Sequence, residues 1–174
     1  AVYSCPCQRA FRARPTEKIC LGFGLSLDWI REWPDFYRGG VDHLSMEEAK
    51  ELLGTLDQKG LVHAVYVYKK PYVGGICNCE YPTCIPLRIS LERGWWLYKK
   101  AEHVAMLDPS RCDGCGKCVT TCQFGAIKFS PLQNIAAINA WKCFGCGLCR
   151  QVCETNAISL APREKIGALK NIWW

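Results

Sequence analysis

The sequence predicts an α+β chain in which a small Cys-rich α/β region precedes a duplicated unit of short strands and helices. Three observations predict it. Two cysteine motifs repeat at a constant offset of 31 residues. Earlier, a capped amphipathic helix runs into a β-branched and aromatic segment. The fourteen cysteines fall into two groups, six before residue 90 and eight after residue 110.

The duplication is the organising feature. Cys112, Cys115, Cys118 and Cys122 are spaced C-x2-C-x2-C-x3-C, and Cys143, Cys146, Cys149 and Cys153 repeat the spacing. The same offset pairs Arg111 with Lys142, Gly114 with Gly145, Gly116 with Gly147, Ala126 with Ala157 and Ile127 with Ile158. A cubane iron–sulfur cluster needs one thiolate per iron, and three closely spaced cysteines on a tight loop can wrap three corners. Glycine lets such a loop turn sharply and bring backbone N–H groups near the inorganic sulfides. Zinc is the competing reading, but it takes four ligands, commonly as two separated pairs, so a triple C-x2-C-x2-C leaves a thiolate over.

With these motifs, residues 105–162 closely resemble bacterial-type ferredoxins with two [4Fe-4S] clusters. The resemblance implies that each fourth cysteine serves the other motif's cluster. Cluster I then takes Cys112, Cys115, Cys118 and Cys153, and cluster II takes Cys143, Cys146, Cys149 and Cys122. The family usually places proline after each fourth cysteine, where this chain has Gln123 and Glu154. Each replacement restores a backbone N–H, and Glu154 adds a negative charge, so their effects on potential oppose one another.

At 174 residues, with 49% hydrophobic and 22% charged residues, the composition is that of a globular protein. No apolar run is long enough to span a bilayer, and the N-terminus lacks a signal-peptide pattern. The first residue is alanine, so a processed chain or part of a longer one is expected. Cluster assembly needs reduced thiols, which points to a reducing, anaerobic cytoplasm and away from a disulfide scaffold. The formal charge is +6 with neutral cysteines. Each oxidised cluster with its thiolates contributes about −2, so two bring the chain to about +2 and a third to about zero. A strongly basic nucleic-acid binder is therefore disfavoured.

In the N-terminal region, Cys5 and Cys7 form a C-x-C pair and Cys20 follows. Pro6 and Pro15 suggest irregular backbone. Apolar spacing over residues 25–33 suggests a helix ending before Pro34, and residues 38–40 suggest a turn. Ser45 and Glu48 form a capping box, Met46, Ala49, Leu52, Leu53 and Leu56 trace one helix face, and Gly60 is a stop. Leu61 to Tyr68 reads as a strand ending at Lys69-Lys70-Pro71, with His63 as a packed core or edge residue. The helix–strand pair has some likeness to a winged helix, but no basic recognition helix accompanies it. Gly74-Gly75 leads into Cys77, Cys79 and Cys84.

The segments around residues 44–63 and 76–79 resemble a group of anaerobe proteins in which such a region precedes a dicluster ferredoxin. Two C-x-C pairs plus two further cysteines exceed what core packing requires. Four or more of Cys5, Cys7, Cys20, Cys77, Cys79 and Cys84 are therefore candidates for a third centre, a [4Fe-4S] cluster or zinc, with unligated redox thiols as the alternative.

Residues 85–100 read as a helix or extended connector, with Trp95, Trp96 and Tyr98 as a packing patch. The tail ending in Ile172-Trp173-Trp174 is expected to dock on this chain or another subunit. The domains expected are 1–104, 105–162 and a docking tail at 163–174. No P-loop, dinucleotide fingerprint or His/Asp/Ser constellation is present. The reading is therefore an electron-transfer subunit of an anaerobic, hetero-oligomeric oxidoreductase. The alternatives are an enzyme reducing disulfides at an N-terminal cysteine-bound cluster, and a regulatory iron–sulfur protein.

Overall fold

The structure, a computed structural model, describes residues 1–11, 16–24, 32, 39–67, 72–95 and 97–173. The helix expected over 25–33, the punctuation at Pro15, Pro34, Arg38 and 69–71, and the aromatic residues Trp96 and Trp174 fall wholly or mostly outside them. The protein is α+β and divides into two compact units, Ala1–Arg88 and Ile89–Trp174. Among the described residues no helix is long and apolar enough to cross a membrane.

The first unit is built on a five-stranded antiparallel sheet. Its strands are β1 (Val2–Ser4), β2 (Lys18–Gly22), β3 (Val41–Asp42), β4 (Val62–Val67) and β5 (Val73–Cys79), in the order β3-β1-β2-β5-β4. Pro6 opens helix α1 (Pro6–Ala10), where irregular backbone was expected. Proline's fixed φ and missing N–H cost nothing at a helix start.

Helix α2 (Met46–Gln58) carries the expected reciprocal cap. Glu48 N–H donates to Ser45 Oγ at 3.2 Å, and Ser45 N–H donates to Glu48 Oε2 at 2.7 Å. Its apolar face engages progressively: Met46 is exposed, Ala49, Leu52 and Leu53 are half-buried, and Leu56 is buried. Leu56 packs with Tyr3, Ile19 and Leu61 around Cys5 and Cys20. His63, on β4, is half-buried and its Nδ1 meets Asn78 Oδ1 at 2.5 Å, the edge role expected of it.

Gly74 and Gly75 lie inside β5 instead of leading into it. A Cβ on Gly75 would collide with the Leu21 carbonyl oxygen and the Tyr66 ring. The absent side chain lets β2 and β5 pair while Tyr66 reaches Tyr3, hydroxyl to hydroxyl, at 3.0 Å.

Helix α3 (Ile85–Arg93) ends at Gly94, whose φ is +70°. In the second unit, β6 (His103–Leu107) pairs antiparallel with β9 (Ile158–Pro162), and β7 (Ile127–Ser130) with β8 (Ile135–Ile138). Two short helices, α4 (Lys117–Thr121) and α5 (Leu148–Gln151), start at the equivalent Gly116 and Gly147, both left-handed. The duplication is thus visible in backbone as well as sequence. Ala126, Ile127, Ala157 and Ile158 are all buried in the core with Val104 and Ala136.

The tail packs on this unit: Leu169 is buried and Lys100 N–H donates to the Trp173 carbonyl at 2.8 Å. Trp95 is 72% exposed and Tyr98 half-buried, so Trp95 does not pack as the sequence suggested.

Candidate metal centres

The eight C-terminal cysteines rim two small cavities in the second unit, four to each. One is lined by Cys112, Cys115, Cys118 and Cys153. The other is lined by Cys122, Cys143, Cys146 and Cys149. Each takes three thiols from one motif and the fourth from the other. The exchange follows from local chain direction. Each loop turns into a short helix that carries its third cysteine inward, and the fourth cysteine lies just past that helix.

Glycine makes the loops possible. Gly114 and Gly145 have φ of +74° and +78°. A Cβ on Gly114 would strike the Asn134 carbonyl oxygen, and one on Gly145 would strike that of His103. Only a residue without a side chain allows both the turn and the close approach.

Backbone N–H groups point at sulfur. Ala126 N–H donates to Cys122 Sγ at 3.3 Å, Ala157 N–H to Cys153 Sγ at 3.2 Å, and Ala105 N–H to Cys143 Sγ at 3.4 Å. The first two are equivalent across the repeat. Such donors stabilise negative sulfur.

The thiols of the second cavity are hard to ionise alone. Burial pushes Cys146 up to about 11 and Cys149 up to about 12, with neighbouring cysteines adding to the effect. Burial, then Cys112 and Cys115, also raise Cys118 at the first cavity. At Cys153 burial acts upward too, but donation from the Thr155 hydroxyl and nearby N–H groups holds it below the ordinary value. All fourteen cysteines are free thiols. Four thiols lining one cavity, with N–H donors aimed at sulfur and no disulfide among them, fit a bound cationic iron core.

The two cavities are not copies. At the second, Phe124 and Phe144 stack with ring centroids 4.3 Å apart. Their counterparts 31 residues away at the first are Thr155 and Asp113. Asp113 Oδ1 accepts from Cys115 N–H at 3.2 Å. The aligned repeats carry this divergence openly, although the cysteine spacing alone passes over it. Glu154 pairs with Lys117 across the motifs, so the charge that replaces the usual proline is largely offset.

The first unit brings its six cysteines together as well. The thiols influence one another in the order Cys84–Cys7–Cys5–Cys20–Cys77–Cys79, each acting on its neighbour. Cys7 is lowered to about 3 by Cys5 and Cys84, and Cys77 to about 5 by Cys20 and Cys79. Contacts with Cys5 and Cys77, then burial, push Cys20 far up. Gln8 and Asn78 fasten the arrangement. Gln8 Nε2 donates to Glu80 Oε1 at 2.9 Å and Thr83 Oγ1 at 3.1 Å, and Asn78 Nδ2 donates to the Ile19 carbonyl.

Among the described residues, no three or more His, Cys, Asp or Glu groups are drawn together as a single metal ion would hold them. In the second unit the thiols stand around a cavity, and in the first they meet in pairs.

Residues 105–154 match the family model of the 4Fe-4S dicluster domain. No curated protein matches the chain. The second unit therefore contains a 4Fe-4S dicluster domain, which implies [4Fe-4S] clusters and supports an iron–sulfur electron-transfer role.

Proposed function

Starting from that domain, we propose that the chain is an electron-transfer subunit holding two [4Fe-4S] clusters. Cys112, Cys115, Cys118 and Cys153 hold one, and Cys143, Cys146, Cys149 and Cys122 the other. The observation that carries this is the sorting of eight thiols into two cavities, three plus one across the repeat. When bound, such clusters supply one-electron transfer. The chain's own part is to set their surroundings: N–H groups on sulfur at Ala105, Ala126 and Ala157, and apolar walls at both cavities, to which the first adds Asp113 and Thr155. The partner that donates or accepts the electron is a redox protein or oxidoreductase subunit. Cluster assembly needs reduced thiols, which suits a cytoplasmic, anaerobic setting.

We also propose a third centre in the first unit, with ligands from both Cys5/Cys7/Cys20 and Cys77/Cys79/Cys84. The unbroken thiol chain between those groups supports it. Either a [4Fe-4S] cluster or zinc would take its thiolates from both groups.

Crossed ligation has a distinctive consequence. Cys122→Ser should disturb the cluster of Cys143, Cys146 and Cys149 and spare that of Cys112, Cys115 and Cys118. The hyperfine-shifted β-proton signals of the cysteines, followed by NMR on anaerobic protein, distinguish the two. Disturbance confined to Cys112, Cys115 and Cys118 would refute the assignment.

A further inference from the structure

Arg163 lies in the tail segment P-R-E-K and, unlike most arginines, is fully buried. Its guanidinium is spent on carbonyl oxygens. Nε donates to Ala101 at 3.1 Å, and one terminal nitrogen donates to His103 at 3.2 Å and Cys143 at 2.8 Å. The other terminal nitrogen is buried with no partner. Among the described residues no carboxylate pairs with Arg163.

A second cation accompanies it. Lys100 is 9% exposed, with Nζ 5.7 Å from the centre of the Phe144 ring. Burial and then the nearby Arg163 charge lower Lys100, while Cys143 acts in the opposite direction on both cations. A buried guanidinium with an orphaned N–H is costly unless an anion lies close. Arg163 bonds the Cys143 carbonyl and Lys100 lies over the Phe144 ring, and both Cys143 and Phe144 line the second cavity.

We propose that Arg163 and Lys100 are a built-in counter-charge for the cluster held by Cys122, Cys143, Cys146 and Cys149, making it the more easily reduced of the two. This rests on the cluster assignment above. On taking one electron from a one-electron donor, an oxidised cluster with its four thiolates goes from about −2 to about −3. A fixed cation favours the more negative form, and more strongly in an apolar site than in water.

The first cavity has exposed charges of both signs, Lys117 paired with Glu154 on one side and Asp113 on the other, and no buried cation among its lining residues. Asp113 lies in its loop and takes the Cys115 N–H for itself. Thr155 offers a hydroxyl near Cys153, at 3.6 Å, a weaker influence than a full charge. Arg111 and Lys142 occupy equivalent exposed positions and so do not separate the sites. Burial at the second cavity opposes extra charge, but the same low polarity strengthens the attraction of the two cations. An electron entering the domain therefore comes to rest beside Phe144 and Arg163.

The test is a redox titration of anaerobic whole-chain protein, following each cluster by its cysteine β-proton signals, with iron and sulfide measured on every sample. In the wild type, the cluster of Cys143 and Cys146 is reduced first. Arg163→Gln and Lys100→Gln each move that midpoint to more negative potential and leave the other in place, and Arg163→Lys restores most of the loss. Lys100→Gln leaves the three guanidinium–carbonyl bonds intact, so it decides the matter if Arg163→Gln fails to fold. Reduction of the other cluster first, unchanged midpoints in variants that retain both clusters, or equal shifts of both midpoints would overturn the inference while leaving the cluster assignment standing. Wild-type protein without sulfide would overturn both.

Discussion

Gly145 is where sequence, backbone and cofactor chemistry meet most tightly. Its φ is +78°, and a Cβ there would run into the His103 carbonyl, one of the oxygens that Arg163 holds. Gly116 has φ of +73° but open space where a Cβ would stand. Gly116→Ala should therefore cost only left-handed strain, about 1–2 kcal/mol. Gly145→Ala should cost more and should also displace the Cys146 loop. Thermal unfolding of both variants under anaerobic conditions, with retained iron measured, checks this, and equal losses would count against it. The glycines and the cysteines that rim the two cavities were legible because their spacing is local. Arg163 was not, because its burial comes from packing of the tail against residues about 60 positions earlier. Asp113 opposite Phe144, and Thr155 opposite Phe124, were visible in the aligned repeats, but their meaning emerged only when both cavities had walls.

Among the elements, α2 was the most legible, since its cap and its stop are short-range chemistry. Ser45→Ala removes the acceptor of the Glu48 N–H and should destabilise the protein by about 1 kcal/mol in denaturant unfolding. Donation from the Ser45 backbone and then its hydroxyl holds the Glu48 carboxyl below the ordinary value. A depressed carboxyl stabilises the fold above its unfolded pKa, and that contribution is lost as pH falls through the lower folded value. Unfolding midpoints of wild type and Glu48→Gln should accordingly converge on acidification. A gap that persists at low pH would contradict this role for Glu48. The strand Val62–Val67 was readable from its β-branched run. The strands Val2–Ser4 and Lys18–Gly22 were not, since three and five residues beside cysteines and prolines give too little period to read. Their place in the sheet is set by pairing with Val41–Asp42 and with Val73–Cys79, a non-local outcome.

At the scale of the whole molecule, each of two compact units gathers one group of cysteines. The C-terminal arrangement was legible as chemistry because cluster ligation leaves a fixed spacing in sequence. The N-terminal one was legible only as a composition, since its contacts join Cys5 to Cys20 and Cys20 to Cys77 across a sheet. Cys20→Ser, which removes the thiol linking both groups, should lower total iron by about four while leaving the dicluster signals unchanged. Iron content equal to the wild type would argue against a third centre that uses Cys20. The central claim is that the second unit holds two cubane clusters, and the most direct measurement is iron, acid-labile sulfide and zinc per chain in anaerobically prepared protein. The account predicts at least about eight iron and eight sulfide, rising to about twelve of each with a third [4Fe-4S] cluster. Stoichiometric zinc with no acid-labile sulfide would contradict it.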